Sequence, residues 1–120
     1  MIGSPYNYAA EKFTSARHSL MLPHPAGEAA SIASAFFEID LGLHDVEDQH
    51  LDDSARHWLR TLREFMDTSG IKDPAEVGTF KLKAEKLTDD EKADLSRAVD
   101  ELASWFDRKA DHQFASSKLA

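Results

Sequence analysis

The chain of 120 residues contains no cysteine. Disulfides, a thiolate nucleophile, sulfur-ligated zinc and iron–sulfur clusters are therefore excluded, and a reducing compartment fits. Long apolar runs are also missing: no stretch approaches the roughly 20 residues that a helix needs to cross a bilayer. The first residues, MIGSPYNYAAEKF, lack the basic start and apolar centre of a secretion signal. The expectation is a soluble, cytoplasmic protein with no membrane partner. Basic residues are scarce, with 14 Lys and Arg against 22 Asp and Glu and a net charge of −8. Nucleic-acid affinity comes largely from phosphates neutralised by basic side chains, so this balance argues against a nucleic-acid role and favours basic partners. The sequence also lacks a phosphate-cradling glycine loop, a dinucleotide motif and a Ser–His–acid set. It implies no cofactor and leans away from an enzyme.

What the chain does contain is helical periodicity. Its length fits a single domain over 1–120, burying roughly two thirds of the surface that the unfolded chain exposes. Ser4-Pro5 reads as an N-cap followed by a first helical Pro, and Tyr6, Ala9, Phe13, Ala16 and Leu20 follow at spacings of three and four. Pro23 stops this helix, and the short Pro23–Gly27 turn places the next one antiparallel beside it. That next stretch, Ala26 to Leu43, holds Ile32, Phe36, Phe37, Ile39, Leu41 and Leu43, separated mainly by Ala and Ser. A helix so apolar or small on nearly every side suits an element surrounded by others, so the rest of the chain is expected to organise around it.

A third pattern over 47–68 carries Leu51, Ala55, Trp58, Leu59, Leu62, Phe65 and Met66 on one side, with Ser69-Gly70 as its stop. Residues 70–87 read as an irregular crossover. Phe80, Leu82 and Ala84 alternate with polar residues as in an extended strip, a reading preferred over the short helix that Phe80, Ala84 and Leu87 would also fit. No sheet is expected. Thr88-Asp89-Asp90-Glu91 is a capping box opening a last helix with Leu95, Ala98, Val99, Leu102, Trp105 and Phe106 on its buried side. Arg108, Lys109 and His112 would complement its C-terminal end, and 113–120 are expected to fray. The resulting fold class is all-α: a four-helix bundle with helices at about 5–22, 27–43, 47–68 and 88–110.

The strongest concentration of metal-ligand types is His50, Asp53 and His57 on the third pattern. In one continuous helix His50 and His57 would lie two turns apart on one face, and Glu47–His50 has the i, i+3 spacing of carboxylate-bridged di-metal bundles. The second Glu-x-x-His pair that such bundles need is absent; Glu11, Glu28 and Glu38 would be further ligands. An ordinary Asp53–His57 surface pair is the favoured reading. Arg56, Arg60 and Arg63 form a basic row suited to a phosphate or acidic peptide, but Asp52, Glu64 and Asp67 stand within local reach of them. Arg108 and His112 do not reproduce the Arg–His spacing of the helical HEPN ribonucleases. Glu38 and Asp40 on the apolar second helix call for a partner, for which Arg17 is the natural choice.

Aromatic residues near helix ends (Tyr6, Tyr8, Trp58, Trp105, Phe106) exceed what a small bundle readily hides, and a surplus would form a homodimer seam or a partner groove. The leading functional expectation is a non-enzymatic protein–protein interaction or regulatory module. Its rival is a metal- or small-ligand-binding bundle using the His50, Asp53 and His57 face.

Overall fold

Helix starts and stops in the structure follow local chemistry. A computed structural model describes residues 5–21, 23–24 and 26–119, with side chains from Tyr6 to Ala110 among these. The elements are α1 (Pro5–Ser19), α2 (Glu28–Gly42), a 3-10 turn (Asp48–His50), α3 (Asp53–Met66), α4 (Thr79–Glu85) and α5 (Asp89–Leu119). No strand occurs among the described residues, and none of their helices is long and apolar enough to cross a membrane. The α5 capping box forms as its sequence dictates: Thr88 N–H donates to Glu91 Oε1 at 2.9 Å, and Glu91 N–H donates to Thr88 Oγ1 at 3.1 Å.

The helices close a ring. α1 packs against α2 and α5, α3 lies on α5, α4 lies on α2, and a light α3–α4 contact completes the circuit. Phe13, Phe36, Ile39, Leu59, Leu62, Leu95, Val99, Leu102 and Phe106 are fully enclosed, and no polar or charged residue among those described is buried with them.

Three expectations require correction. The all-α bundle has five helices among the described residues, because the crossover over 70–87 contains α4. The Asp73 carboxylate accepts backbone N–H groups of Val77 and Gly78 at 2.7 Å each, which ties off a turn, and Gly78 enters α4 with φ +114°. From there Phe80, Ala84 and Leu87 share one face, and the Phe80 ring meets Phe36 of α2 edge-on at 5.5 Å between centroids. Burial against α2 favours the helical period over the alternating one. The pattern over 47–68 is also not one helix. Asp52, in extended conformation (φ −77°, ψ 174°), caps α3 by accepting the Ala55 N–H at 2.8 Å, so residues before it form only the 3-10 turn. Finally, α5 continues to Leu119 instead of ending near 110, so Arg108 and Lys109 lie within the helix. Ser4 and the side chains of 113–120, expected to cap and to fray, lie outside the described residues.

The central role expected for α2 is only partly filled. Ile32, Ala35, Phe36, Ile39 and Gly42 face the core, with α1 along one flank and α4 along the other. The remaining side is open. The pair on which the others are assembled is α1 with α5. Close approach of α2 to α1 depends on Gly42, where an added Cβ would stand 2.8 Å from Lys12 Cβ and 3.6 Å from Ala9 Cα. The obstructing atoms adjoin the α1 backbone and cannot swing aside. Gly42→Ala is therefore expected to cost about 1–3 kcal/mol of unfolding free energy, measured by urea titration. An unchanged midpoint would show that the two helices separate freely.

Candidate functional site

The carboxylate of Asp52 joins three elements. Besides capping α3, its Oδ2 accepts the Trp105 indole N–H of α5 at 2.8 Å, just where the 3-10 turn enters α3. A residue that reads as one more acid on a solvated face is thus a structural hub. Its position directly before the Asp53-Ser54-Ala55 start of α3 was the available signal, since Asp is among the preferred N-caps.

Four residues earlier in the chain, Asp48 organises the basic row. Arg63 donates to Asp48 Oδ2 at 2.7 Å, Arg56 donates through Nε to the Asp48 carbonyl at 3.0 Å and pairs with Asp53 at 3.6 Å. Arg60 adds its charge to the same neighbourhood. For Arg56 and Arg63 the expected partners Asp52 and Asp67 are replaced by Asp48 of the 3-10 turn, which these two arginines clamp onto α3, with Asp53 as a second partner of Arg56. Their guanidinium groups are thus committed to the fold, while Arg60 is exposed.

The break at Asp52 also removes the relation on which the histidine face rests. His50 belongs to the 3-10 turn, where its carbonyl accepts the Tyr6 hydroxyl at 3.4 Å, whereas Asp53 and His57 belong to α3. Asp53 pairs with Arg56, and the His57 ring lies 4.8 Å from that of Trp58. Among the described residues there is no group of three or more His, Asp or Glu side chains placed to hold a metal ion.

Acid pairing on α2 also differs from expectation. Glu38 meets Lys12 of α1 at 3.4 Å, while Arg17 pairs with Asp100 of α5 at 3.3 Å. The helix expected to supply the cation does so, one turn earlier. Asp40 is exposed. A cleft of about 720 Å³ runs between the end of α1 and α5 and is lined by Arg17, His18, Leu20, Met21, Arg97 and Asp100. Its cations are already engaged, Arg17 by Asp100 and Arg97 on the Trp58 ring at 5.4 Å.

The aromatic surplus is largely absorbed. Trp105 and Phe106 are core residues, Tyr6 and Trp58 pack against that core, and Tyr8, 41% exposed, lies under the Lys12 ammonium. Besides Tyr8, the exposed large apolar side chains among the described residues are Met21 (57%) after α1, Val77 (46%) before α4 and Phe37 (57%), which alone of the three lies on a helix, α2. The same outward side carries Ala30, Ser34 and Leu41, spaced by four, three and four residues through Phe37, and bears no charge. In a chain with 30% charged residues, this uncharged strip, bordered by Glu38 and the exposed Asp40, is the site's distinguishing feature.

Several carboxylates are held below their ordinary range. The hydrogen bond from Arg63 lowers Asp48, with the neighbouring guanidinium charges adding to it. The Ala55 backbone N–H, then the Trp105 indole, lowers Asp52, and the Thr88 N–H lowers Glu91. Groups whose pKa is depressed by folding stabilise the fold above their unfolded pKa and lose that contribution as pH falls through the folded value. Melting temperature is thus expected to fall below about pH 4, where unfolded carboxylates begin to protonate. Asp52→Asn should fall less steeply in thermal melts across this range; an identical acid slope would show that Asp52 contributes nothing to it.

No protein-family model, curated protein or solved structure matches the chain.

Proposed function

We propose that the protein is a non-enzymatic interaction module whose binding surface is the outer side of α2. The observation that carries this reading is the uncharged Ala30–Ser34–Phe37–Leu41 face with Phe37 largely in solvent. Isolated exposed apolar residues are common on protein surfaces, but an uncharged strip centred on an exposed Phe, with Glu38 and Asp40 only at its borders, is a region where water contact is poorly compensated. Covering it would release that surface from water without desolvating an ion.

The test is recovery of bound proteins, untagged copies of the chain included, from the native host by tagged wild type and by Phe37→Asp. A partner retained by wild type and lost by the variant supports the reading, whereas identical retention overturns it. Stoichiometric iron, manganese or zinc in tag-free protein, lost in a His50→Ala, His57→Ala double variant, would replace it with the metal-binding function.

A further inference from the structure

Resting on that reading of the α2 face, we infer that its occupant is a second copy of the chain, with the two α2 helices packed antiparallel about a two-fold axis. The seam residues Ala30, Ser34, Phe37 and Leu41 follow the four-three-four spacing of a knobs-into-holes stripe. Their sizes are arranged with small residues in the N-terminal half and bulky ones in the C-terminal half. Centred on the Ala35–Phe36 bond, an antiparallel copy brings Phe37 over Ser34 of its mate and Leu41 over Ala30. All four seam positions then match large to small, the self-complementarity that a two-fold interface requires.

The flanking charges are compatible with this arrangement. Glu38 borders the seam on the α1 side, where Ser31, with Ala30 and Ser34 of the seam itself, also lines a cleft with His18, Ser19 and Pro23; Asp40 borders it on the α4 side, with Ala33 two turns before it. Antiparallel helices bring like flanks together, so Glu38 falls beside Ser31 of the mate and Asp40 beside Ala33. No acid of one copy is set against an acid of the other along the seam, and Lys12 already neutralises Glu38 at 3.4 Å. A parallel pairing would instead stack Phe37 on Phe37 and Leu41 on Leu41 and set Ala30 and Ser34 against their own small copies, losing the match of large to small. One helix pair covers less area than a stable interface usually buries, so the dimer forms reversibly with concentration. Two chains of charge −8 also repel, and the seam itself is neutral, so added salt strengthens the association.

Purified full-length chain is examined by sedimentation velocity across a concentration series at low and high salt. The apparent mass is expected to rise from 13.4 kDa toward twice that value, further at high salt. Phe37→Asp and Leu41→Lys should remain at the mass of one chain with an unchanged helical signal and melt. The cysteine-free background allows the register to be read: Ala33→Cys mixed with Asp40→Cys should cross-link through a short bismaleimide well above the yield of either variant alone. A chain of monomeric mass at every concentration, dimers unaffected by Phe37→Asp, or Ala33→Cys alone cross-linking as well as the mixture would each overturn the inference. A monomeric chain that still recovers a different host protein in a Phe37-dependent way would overturn it while leaving the interaction function standing. A monomeric chain that recovers nothing would sink both.

Discussion

Phe36→Ala is expected to lower the unfolding free energy by about 3–5 kcal/mol, a large share of the margin of a small domain. Phe36 is 0% exposed and its ring meets Phe80 edge-on at 5.5 Å, so truncation opens a cavity at the junction of α2 with α4. α4 has only seven residues, too short to persist without tertiary support, and α2 is its main neighbour. Faster amide exchange over 79–85 should therefore accompany the lower denaturant midpoint. The adjacent Phe37→Ala supplies the contrast: with Phe37 57% exposed, its effect on the isolated chain is expected within about 0.5 kcal/mol. A loss below about 1 kcal/mol for Phe36→Ala would show that α2 is peripheral to the fold.

The contrast between these neighbours also marks how far the sequence could be read. Composition showed that the stretch from Ala26 to Leu43 is apolar or small nearly all round, but composition does not distinguish a side that is covered from one that is open. Helical periodicity alone also permits either side of α2 to be the core side. The choice is made by Gly42 against Ala9 and Lys12, and by Phe80 against Phe36, contacts between residues distant in the chain. α4 was missed for a related reason. Phe80, Leu82 and Ala84 alternate cleanly, and their helical state follows from the Asp73-bound turn and from burial on α2.

Features set by local chemistry were legible. The capping box at Thr88 involves residues within one turn of each other. Ion pairing was not, because local spacing does not tell which side chains of neighbouring elements come level with one another. The observed partners of Arg63, Arg17 and Glu38 are Asp48, Asp100 and Lys12, each supplied by a different element. The spacing of His50 and His57 was misleading in a similar way: two helical turns between them require helical backbone across Leu51 and Asp52, where the chain is extended. Asp52 illustrates the general difficulty. Its N-cap role is local and could have been read, but its bond to Trp105 spans 53 residues and emerges only when α5 lies beside α3.

That bond sets the second large effect. Trp105→Ala is expected to cost about 3–5 kcal/mol, most of it from lost packing. The indole is 7% exposed and meets Tyr6 and Phe106 edge-on, with centroids 5.7 Å and 5.1 Å away; Phe13 extends the cluster, 5.1 Å from Phe106. These rings fasten α1 to α5, the pair on which the other helices are assembled. The indole N–H contributes separately, through Asp52. Because that carboxylate is exposed and retains the Ala55 N–H, losing the indole does not strand a buried charge. Trp105→Phe, which keeps an aromatic ring but removes the donor and part of the volume, should therefore cost only about 1–2 kcal/mol. A double-variant cycle with Asp52→Ala, measured by urea unfolding, separates the two contributions: a coupling of about 1 kcal/mol is expected between the indole and the carboxylate. Additive single effects would mean that Trp105 holds α5 to its neighbours by packing alone, with Asp52 serving solely as the cap of α3.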